Sequence, residues 1–253
     1  MLWTNVTPEI VPASEILNPA YHIGCIATLP YGSDLNVVES GRVTPILSAP
    51  SEWSIDATIA IKHCHTEACL KIIGETPYGD DVPNTASLMR SRVNEVLGHG
   101  GFEAVDELTS TKSGNYANNT SLQMQSLAES LGTSGEGVLA VALNYHIGRV
   151  ATHARAYGLK NMVYTAAEDV LALTGRLHKD DPFYEVFCAG VESSERILRV
   201  LSKIDPLGNM IFNPLTNSKG PRVVNVVPSP SGPIFVSTTA HARESSMPAG
   251  TGS

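Results

Sequence analysis

The stretch TSLQMQSLAESLGTSGEGVLAVALNYHIGRVATHARAYG, residues 120–158, determines how this chain of 253 residues is interpreted. It contains two Ser/Thr-x-x-Glu/Gln patterns, which begin at Thr120 and Thr133 and match the capping box that opens a helix. Glycines follow where each helix would stop. The pattern predicts one helix from Thr120 to about Gly132 and the longest helix of the chain over residues 135–157.

The region around that stretch contains no proline, because all sixteen prolines lie outside residues 84–181. An uninterrupted stretch with apolar residues at helical spacing favours helices over strands. The sequence Asp181-Pro182 supports a further helix start, since proline is favoured at the first helical position. Further helices are predicted over residues 86–97, 102–108, 162–177 and 182–204, and a polar loop over 109–119.

The flanks that hold the prolines have the composition of strands and loops. β-Branched residues occur there in short runs separated by Gly, Pro, Ser and Asn, which is typical of strands. Strands are predicted over residues 23–29, 37–40, 43–47, 55–62, 68–73, 222–227 and 234–238. Residues 1–20 are predicted as an extended arm, 77–83 as a loop, and the last dozen residues, ARESSMPAGTGS, as a tail too polar to join a core.

These assignments predict an α+β fold in which strand-rich flanks form a sheet and a large helical block is inserted between them. The strand-rich segment with its N-terminal arm spans residues 1–83, the helical block 84–205, and the returning strands with the C-terminal tail 206–253. We expect the late strands to return to the N-terminal sheet, so that the three segments make one composite domain.

Composition and charge limit the classes of partner. Hydrophobic content of 42% and a mean hydropathy near zero are typical of globular proteins, while charged residues, at 17%, fall below the usual quarter. The net charge is −8, and no run of basic residues stands at either end, which argues against binding nucleic acid through a tail. No apolar run approaches the ~18 residues of a membrane helix, so no membrane span is predicted.

The cysteines and the N-terminus indicate a location. The four cysteines are Cys25, Cys64, Cys69 and Cys188. The first residues, MLWTNVTPEIVPASE, contain neither the basic nor the apolar region of a secretory signal. We therefore expect no secretory signal, a virion or cytoplasmic location, a reducing environment and free thiols.

The densest group of metal-ligating residue types consists of His63, His65, Glu67 and Cys69. In a strand, these four would share one face. Zinc takes four nitrogen or sulfur ligands in a tetrahedron, and one strand cannot surround a metal without distant ligands. His65-Thr66-Glu67 also matches half of the zinc-deaminase pattern, whose Pro-Cys-x-x-Cys half is absent from the chain. We predict an ordinary strand pair here, with these four residues as the candidate ligands if a metal binds.

No cofactor is predicted. Residues 135–140 match Gly-x-Gly-x-x-Ala, but a dinucleotide site needs a strand before that pattern and an acidic residue about twenty positions after it. A helix is predicted before it, and Tyr157 stands where the acid should be. The glycines are therefore interpreted as part of a helix start.

Basic residues on the predicted helices are the candidate contacts for nucleic acid: Arg149, Arg155, Arg196 and Arg199. His146, Arg149 and His153 follow helical spacing, which predicts a polar face between helices or towards solvent, with phosphate contact as the alternative. Glu195 and Arg199 have the spacing of a surface ion pair.

No catalytic pattern is strong enough to assign an enzyme, so an enzyme is the less favoured class and no catalytic residue is predicted. The low charge, the extended arm and the Ser/Pro/Gly-rich end favour a self-assembling structural protein, such as a viral capsid or coat subunit. Such a subunit would contact copies of itself, and other shell proteins, through broad lateral surfaces and terminal arms.

Two alternatives stay open. The first is a small-molecule enzyme of α+β fold, zinc-dependent through the His63–Cys69 segment. The second is a nucleocapsid-type protein that holds RNA in a cleft lined by the four arginines, although the net charge of −8 weighs against it.

Overall fold

The computed structural model describes residues 6–37, 43–76, 83–98, 105–132, 137–177, 182–212, 223–227 and 234–238. In chain order the elements are α1 (Ala13–Ile16), β1 (Cys25–Thr28), β2 (Ser33–Val37), β3 (Val43–Leu47), α2 (Ala49–Cys64), β4 (Cys69–Ile73), α3 (Thr85–Leu97), β5 (Val105–Leu108), α4 (Thr120–Leu131), β6 (Val138–Ala142), α5 (Asn144–Ala156), β7 (Val163–Ala166), α6 (Ala167–Leu173), α7 (Pro182–Ile204), β8 (Val223–Val227) and β9 (Ile234–Thr238).

A parallel sheet of five strands lies at the centre of the fold, in the order β5-β4-β1-β6-β7. Every neighbouring pair is parallel, and Cys25 of β1 stands opposite Cys69 of β4 and Val138 of β6. The chain therefore starts in the middle, builds outward to β5, and then returns to the other side of β1 with β6 and β7.

Helices cover both faces of this sheet. Successive strand residues enter two different cores: Ile26 packs into one, and Ala27 into the other. Helices α2, α3 and α6 supply the first core, and α4 and α5 supply the second. Strands buried on both faces need apolar residues at every position, as in β6, whose five residues are all buried. The architecture is a doubly wound α/β fold.

The prediction of mixed helices and strands is confirmed, but the predicted arrangement is not. Three of the five sheet strands, β5, β6 and β7, lie within residues 84–205, which were predicted to be a helical block. The helices therefore alternate with the strands, and the sheet is not restricted to the two flanks.

The strand predicted over residues 55–62 is wrong, because these residues form the middle of helix α2. Its isoleucines and threonine favoured a strand by residue type. In the fold, α2 is buried on most of its surface, so the polar face that normally reveals a helix is nearly absent. Ser48 marks its start, since the Ser48 hydroxyl accepts the Ser51 N–H.

Three predicted helices contain strands instead. The predicted helix over 135–157 is divided into β6 and α5, that over 162–177 into β7 and α6, and residues 102–108 contain β5. Gly137 directly precedes a strand, so the predicted helix start at these glycines is also wrong. A buried parallel strand of four or five residues is a short apolar run without alternation, which resembles part of a buried helix.

Other predicted elements are confirmed to within two residues at each end. They are strands β1, β3 and β4 and helices α3, α4 and α7. β2 ends where the strand over 37–40 was predicted to begin, and it pairs antiparallel with β3. The predictions for residues 1–5, for the loop over 77–82 and for the last dozen residues lie outside the described residues.

By its internal contacts the chain divides into two compact units, Met1–Pro221 and Arg222–Ser253. The first contains the five-stranded sheet with its helices. In the second, β8 and β9 pair antiparallel with each other as a two-stranded sheet. The two late strands are therefore confirmed as strands, but the expected return to the N-terminal sheet is not observed.

The expectation of free thiols is wrong for two cysteines. Cys25 and Cys69 stand opposite each other on β1 and β4, with their Cα atoms 4.4 Å apart, and form a disulfide. Parallel pairing brings together two residues that are 44 positions apart, a proximity that sequence spacing does not reveal. Cys64, at the end of α2, is a free and partly buried thiol.

The N-terminal arm lies along the sheet of its own chain. Ile10 forms a parallel bridge with Tyr164 of β7. The Tyr164 N–H donates to the Glu9 carbonyl at 2.9 Å, and the Val11 N–H donates to the Tyr164 carbonyl at 2.8 Å. The arm therefore covers the outer edge of β7.

Among the described residues, α7 is the longest helix, with 23 residues. Across the described part of the chain, no helix combines the length and the apolar character needed to cross a bilayer.

Candidate functional site

The carboxyl edge of the sheet is where this architecture places ligands. All five strands are parallel, so they end at one edge, and helices α2 to α6 begin near it. After β1 the chain moves to one side of the sheet, while β6 lies on the other side of β1. The divergence of the chain between β1 and β6 leaves a crevice outside their carboxyl ends, which is the usual ligand position in doubly wound sheets.

Tyr31, just after β1, enters this crevice. Two serines at the start of α2 hold its backbone: the Tyr31 N–H donates to Ser51 Oγ, and Ser48 Oγ donates to the Tyr31 carbonyl, both at 2.9 Å. The ring stands edge-on to Tyr145 and His146, with centroids 5.3 and 5.4 Å apart. The chain after β1 is thereby fixed against the first residues of α5.

A buried ion pair lies under the Tyr31 hydroxyl. Arg149 of α5 donates to Glu195 of α7 through Nε, at 3.2 Å, and through Nη2, at 2.7 Å. The Tyr31 hydroxyl donates to the same carboxylate at 3.1 Å. The Arg149 side chain is 9% exposed and that of Glu195 is 1% exposed, so charge and hydrogen-bond pairing replace the lost water.

Thr120 and His146 complete this group. Arg149 Nη1 donates to Thr120 Oγ1, and His146 Nε2 lies 3.0 Å from the same oxygen. A guanidinium can only donate, so the threonine oxygen accepts from Arg149 and its own proton is available to His146 Nε2. The hydroxyl oxygen has two lone pairs, so it can either donate to Nε2 or accept from it; when it donates, the proton of a neutral imidazole is on Nδ1. We name Tyr31, Thr120, His146, Arg149 and Glu195 the switch-point cluster.

His146 Nδ1 is a buried polar atom without a hydrogen-bond partner among the described residues. The residue is only 2% exposed. Burial is the main cause that holds the pKa of His146 well below its ordinary value, and the Arg149 and His153 charges act in the same direction. The imidazole is therefore neutral, and its Nδ1 has an unmet need for a hydrogen-bond partner.

Further polar atoms without partners in the described ranges lie next to the cluster, at the end of β4 and the starts of α3 and α4. They are Thr76 Oγ1, Thr85 Oγ1 and Gln123 Oε1. Gln123 lies one turn after Thr120 on α4 and donates to Glu75 Oε1 at 3.3 Å. The polar surface thus extends along the carboxyl edge from β6 to β4, as expected of a ligand site that this chain fills only in part.

His153, two turns after His146, is the other buried histidine of α5. Its Nδ1 lies 2.7 Å from the Pro206 carbonyl, and its ring stands edge-on to Phe212. Burial lowers the pKa of His153 to about 4, although the Pro206 hydrogen bond opposes the shift. The polar face predicted for His146, Arg149 and His153 is observed, and it lies between helices.

We expect acid to destabilise the protein through these two histidines. Both have a folded-state pKa below the ordinary 6.5, so above pH 6.5 they are neutral in both states and contribute no pH dependence. Below it the unfolded chain takes up protons that the folded chain excludes, which costs about 2 kcal/mol per histidine between pH 6.5 and 5. Urea unfolding at pH 7.5 and 5 measures the loss.

The variant His153→Gln keeps a donor for the Pro206 carbonyl and removes one of the two titrating groups. Its loss of stability on acidification is expected to be about half that of the wild type. The exposed His63, at the end of α2, supplies the matched control, since His63→Gln should leave the loss unchanged. Equal losses in His153→Gln and in the wild type would exclude His153 as a cause.

The predicted metal ligands lie at the opposite, amino edge of the sheet. His63 ends α2 and is exposed, and His65 Nε2 lies 2.6 Å from the Ile16 carbonyl. Glu67 is exposed in the turn before β4, and the Cys69 sulfur is bonded to Cys25. The four residues thus occupy a helix end, a turn and a strand, so the expectation of one strand face or a strand pair is wrong. In the ranges that are described, no group of three or more His, Cys, Asp or Glu is arranged to hold a metal ion.

The four candidate arginines fall into three places. Arg149 is buried in the switch-point cluster, and Arg155 is exposed in the last turn of α5. Arg196 and Arg199 are exposed on α7 and line one groove, described below. The predicted surface pair of Glu195 with Arg199 is replaced by the buried Arg149 pair.

Tyr31, Thr120 and Glu195 were not identified as site residues from the sequence. Thr120 was assigned to a capping box, although Asn119 is the residue whose side chain caps α4. The run before Tyr31 was predicted as a strand, and identifying the run before Asn144 as its parallel neighbour would have indicated that Tyr31 lies beside the start of α5, because residues that follow such strands share one edge. No such signal indicates Glu195, which lies within α7, after helix α6.

The strand order and the helices on both faces define the architecture, and the polar residues at its carboxyl edge define the candidate site. Comparison of the chain with protein-family models, with curated proteins and with solved structures gives no match.

Proposed function

We propose that this protein is an enzyme that binds a small polar molecule at the switch point between β1 and β6, with His146 donating a hydrogen bond to an oxygen atom of that molecule. One observation carries the proposal: the buried, neutral His146 has an Nδ1 without a partner among the described residues, and this nitrogen carries the proton when the Thr120 hydroxyl, held by Arg149, donates to Nε2.

The chain of hydrogen bonds supports this role. Arg149 is held by Glu195, Thr120 is held by Arg149, and the imidazole is oriented by Thr120. A donor fixed in advance, in a site with little water, stabilises charge that develops on a substrate oxygen more than a donor in water does. The low pKa of His146 suits this task, because the neutral ring donates without bringing a charge that the site would have to solvate.

Tyr31 gives the cluster a connection to solvent. It is partly exposed, whereas Thr120, His146 and Glu195 are buried. Burial is the main cause that raises the pKa of Tyr31, and the Glu195 charge adds to it, so the phenol keeps its proton. A bound molecule would meet this ring before it reached His146.

The test replaces the His146 imidazole with an amide. Glutamine in place of His146 keeps a polar atom near Nε2, towards Thr120, and has none at Nδ1. We expect His146→Gln to weaken binding of any small molecule at this site by about tenfold or more, since the cost is one charge-stabilising donor. Ligand-observed NMR with a panel of sugar phosphates, nucleotides, carboxylic acids and amino acids measures binding, and turnover of each hit is followed in the same samples.

His65→Gln is the matched control. His65 is buried like His146, and its Nε2 lies near the Ile16 carbonyl oxygen. It lies at the amino edge of the sheet, away from the switch point. If His65→Gln weakens binding as much as His146→Gln does, the switch point is not the binding site. A panel without any hit would also contradict the proposal.

The shell-subunit function stays a second proposal, supported by a different surface. The exposed side chains of Ile197, Val200 and Ile204 form an apolar stripe on α7, which is a suitable lateral contact between copies. The arm that motivated the idea contacts β7 of its own chain. Light scattering of the purified protein distinguishes a large discrete assembly from a small oligomer.

A further inference from the structure

A groove of about 700 Å³ opens beside the switch-point cluster, at the carboxyl ends of β6 and β7. Its walls are the start of α5, helix α7 and residues 6–10 of the N-terminal arm. Tyr145 and Glu195 line the groove and also contact Tyr31 of the cluster. A volume of this size suits a metabolite-sized molecule. Such a molecule would lie beside Glu195 of the cluster and beside Tyr145, which contacts Tyr31.

Three cationic side chains line the α7 wall of this groove. Arg196, Arg199 and Lys203 are exposed and follow each other at three and four residues, so they lie on one face of the helix. At 1.5 Å per residue they extend over roughly 10 Å. This is a concentrated positive surface on a chain whose net charge is −8.

Two carboxylates also line the groove, and each is engaged by other groups. Glu195 is paired with Arg149, as described above. Glu168 accepts the Asn144 N–H at the start of α5 through both oxygens, at 3.1 and 3.0 Å, so the positive end of a helix faces it. Both residues are 1% exposed, whereas the three cations reach solvent.

Arg199 is held in place by α5. Its Nη2 donates to the Tyr145 carbonyl at 2.9 Å. The guanidinium also lies across Gly148, where a Cβ atom would stand 3.1 Å from Arg199 Nε. A glycine in the middle of α5 thus lets the arginine approach the helix closely, and the guanidinium keeps further N–H donors for a ligand.

We propose that this groove binds the anionic part of the substrate, a small organic molecule that carries phosphate or carboxylate groups. The inference rests on the proposed function, because it names the chemical class of the molecule that His146 would contact. Arginine and lysine recognise these groups by charge-assisted hydrogen bonds, and a positive surface about 10 Å long matches a molecule with two or more of them.

A small molecule fits the groove better than RNA does. The volume is enclosed by three elements of one chain, and the basic residues are confined to one helix face. RNA binding would need basic residues spread along a backbone, and Arg155 lies outside the groove lining. The fourth candidate, Arg149, is already engaged inside the protein.

Titration calorimetry of the full chain with inorganic tripolyphosphate and with citrate tests the proposal. We expect at least one of them to bind, and Arg199→Gln to weaken that binding by about tenfold or more. Arg199→Lys keeps the charge without the planar fork and should give an intermediate loss. Arg155→Gln removes an exposed arginine outside the groove and should leave the affinity unchanged.

Binding of tripolyphosphate alone assigns a phosphate compound, and binding of citrate alone assigns a polycarboxylate. The proposal is overturned if neither probe binds, if Arg155→Gln weakens binding as much as Arg199→Gln does, or if a short single-stranded RNA binds more tightly than either probe.

His146→Gln separates this inference from the proposed function. Neither probe is long enough to represent a whole substrate, so the groove should bind it equally well with glutamine at His146. Loss of probe binding in Arg199→Gln together with no effect of His146→Gln on any small-molecule hit would leave the groove as an anion site and remove the switch-point function. Probe binding that Arg199→Gln leaves unchanged would remove the groove as the anion site, and the effect of His146→Gln on the small-molecule hits would then decide the switch-point function alone.

Discussion

Replacing Gly74 with alanine is expected to destabilise the protein by about 3 kcal/mol or more, because the added methyl group collides with backbone. A Cβ at Gly74 would stand 2.2 Å from the Ala86 nitrogen and 2.7 Å from its Cα. Ala86 lies in the buried first turn of α3, so relief requires moving the start of that helix. Urea unfolding at neutral pH measures the change.

Gly24 provides the matched control. It directly precedes β1, and a Cβ there would come no closer than 3.4 Å, to the Gly137 carbonyl. Gly24→Ala should therefore stay within about 1 kcal/mol of the wild type. A Gly74→Ala protein as stable as Gly24→Ala would show that α3 does not approach β4 as closely as described.

Replacing Arg149 with methionine is expected to cost about 3–5 kcal/mol, because it leaves the Glu195 carboxylate buried without its counter-charge. Methionine fills a similar volume, so the loss reports the missing charge and hydrogen bonds more than a cavity. Thr120 loses the hydrogen bond from Arg149 in the same variant, so its contact with His146 changes as well.

A double-mutant cycle isolates the ion pair. Arg149→Met with Glu195→Met removes both charges, and we expect the pair to lose about 2 kcal/mol less than the sum of the single variants. Arg90 and Glu107 form an exposed pair, in which Arg90→Met should cost at most about 1 kcal/mol. Additive losses at Arg149 and Glu195 would contradict the direct pairing of these two side chains.

The parts of the fold that could be predicted from the sequence are those with strong local patterns. Helix α3 has an Asn84 cap and an apolar stripe, and helix α7 has proline at its start, so both were placed well. Helix α2 and strand β6 have almost no polar face, because each is buried on most of its surface. Residue type favoured a strand for the middle of α2, and the capping pattern at Thr133 favoured a helix across β6, so both elements were predicted wrongly.

The candidate site was predicted only in fragments. The spacing of His146, Arg149 and His153 placed them correctly on one helical face. Their partners Thr120 and Glu195 lie 26 and 46 residues from them. Thr120 begins α4, which follows a strand of the same parallel sheet, and Glu195 lies on α7, which packs against α5, so both contacts depend on tertiary packing. The disulfide escaped prediction for the same reason, since the register of β1 against β4 decides which cysteines meet.

The two outer edges of the sheet limit how copies of this protein could polymerise. On one side, Glu9 and Val11 occupy the N–H and the carbonyl of Tyr164 on β7. On the other, β5 has four residues, and the Asp106 side chain is 57% exposed. A short outer strand with carboxylates resists the addition of another strand. Strand-by-strand growth into fibrils is therefore disfavoured at both sides of this five-stranded sheet.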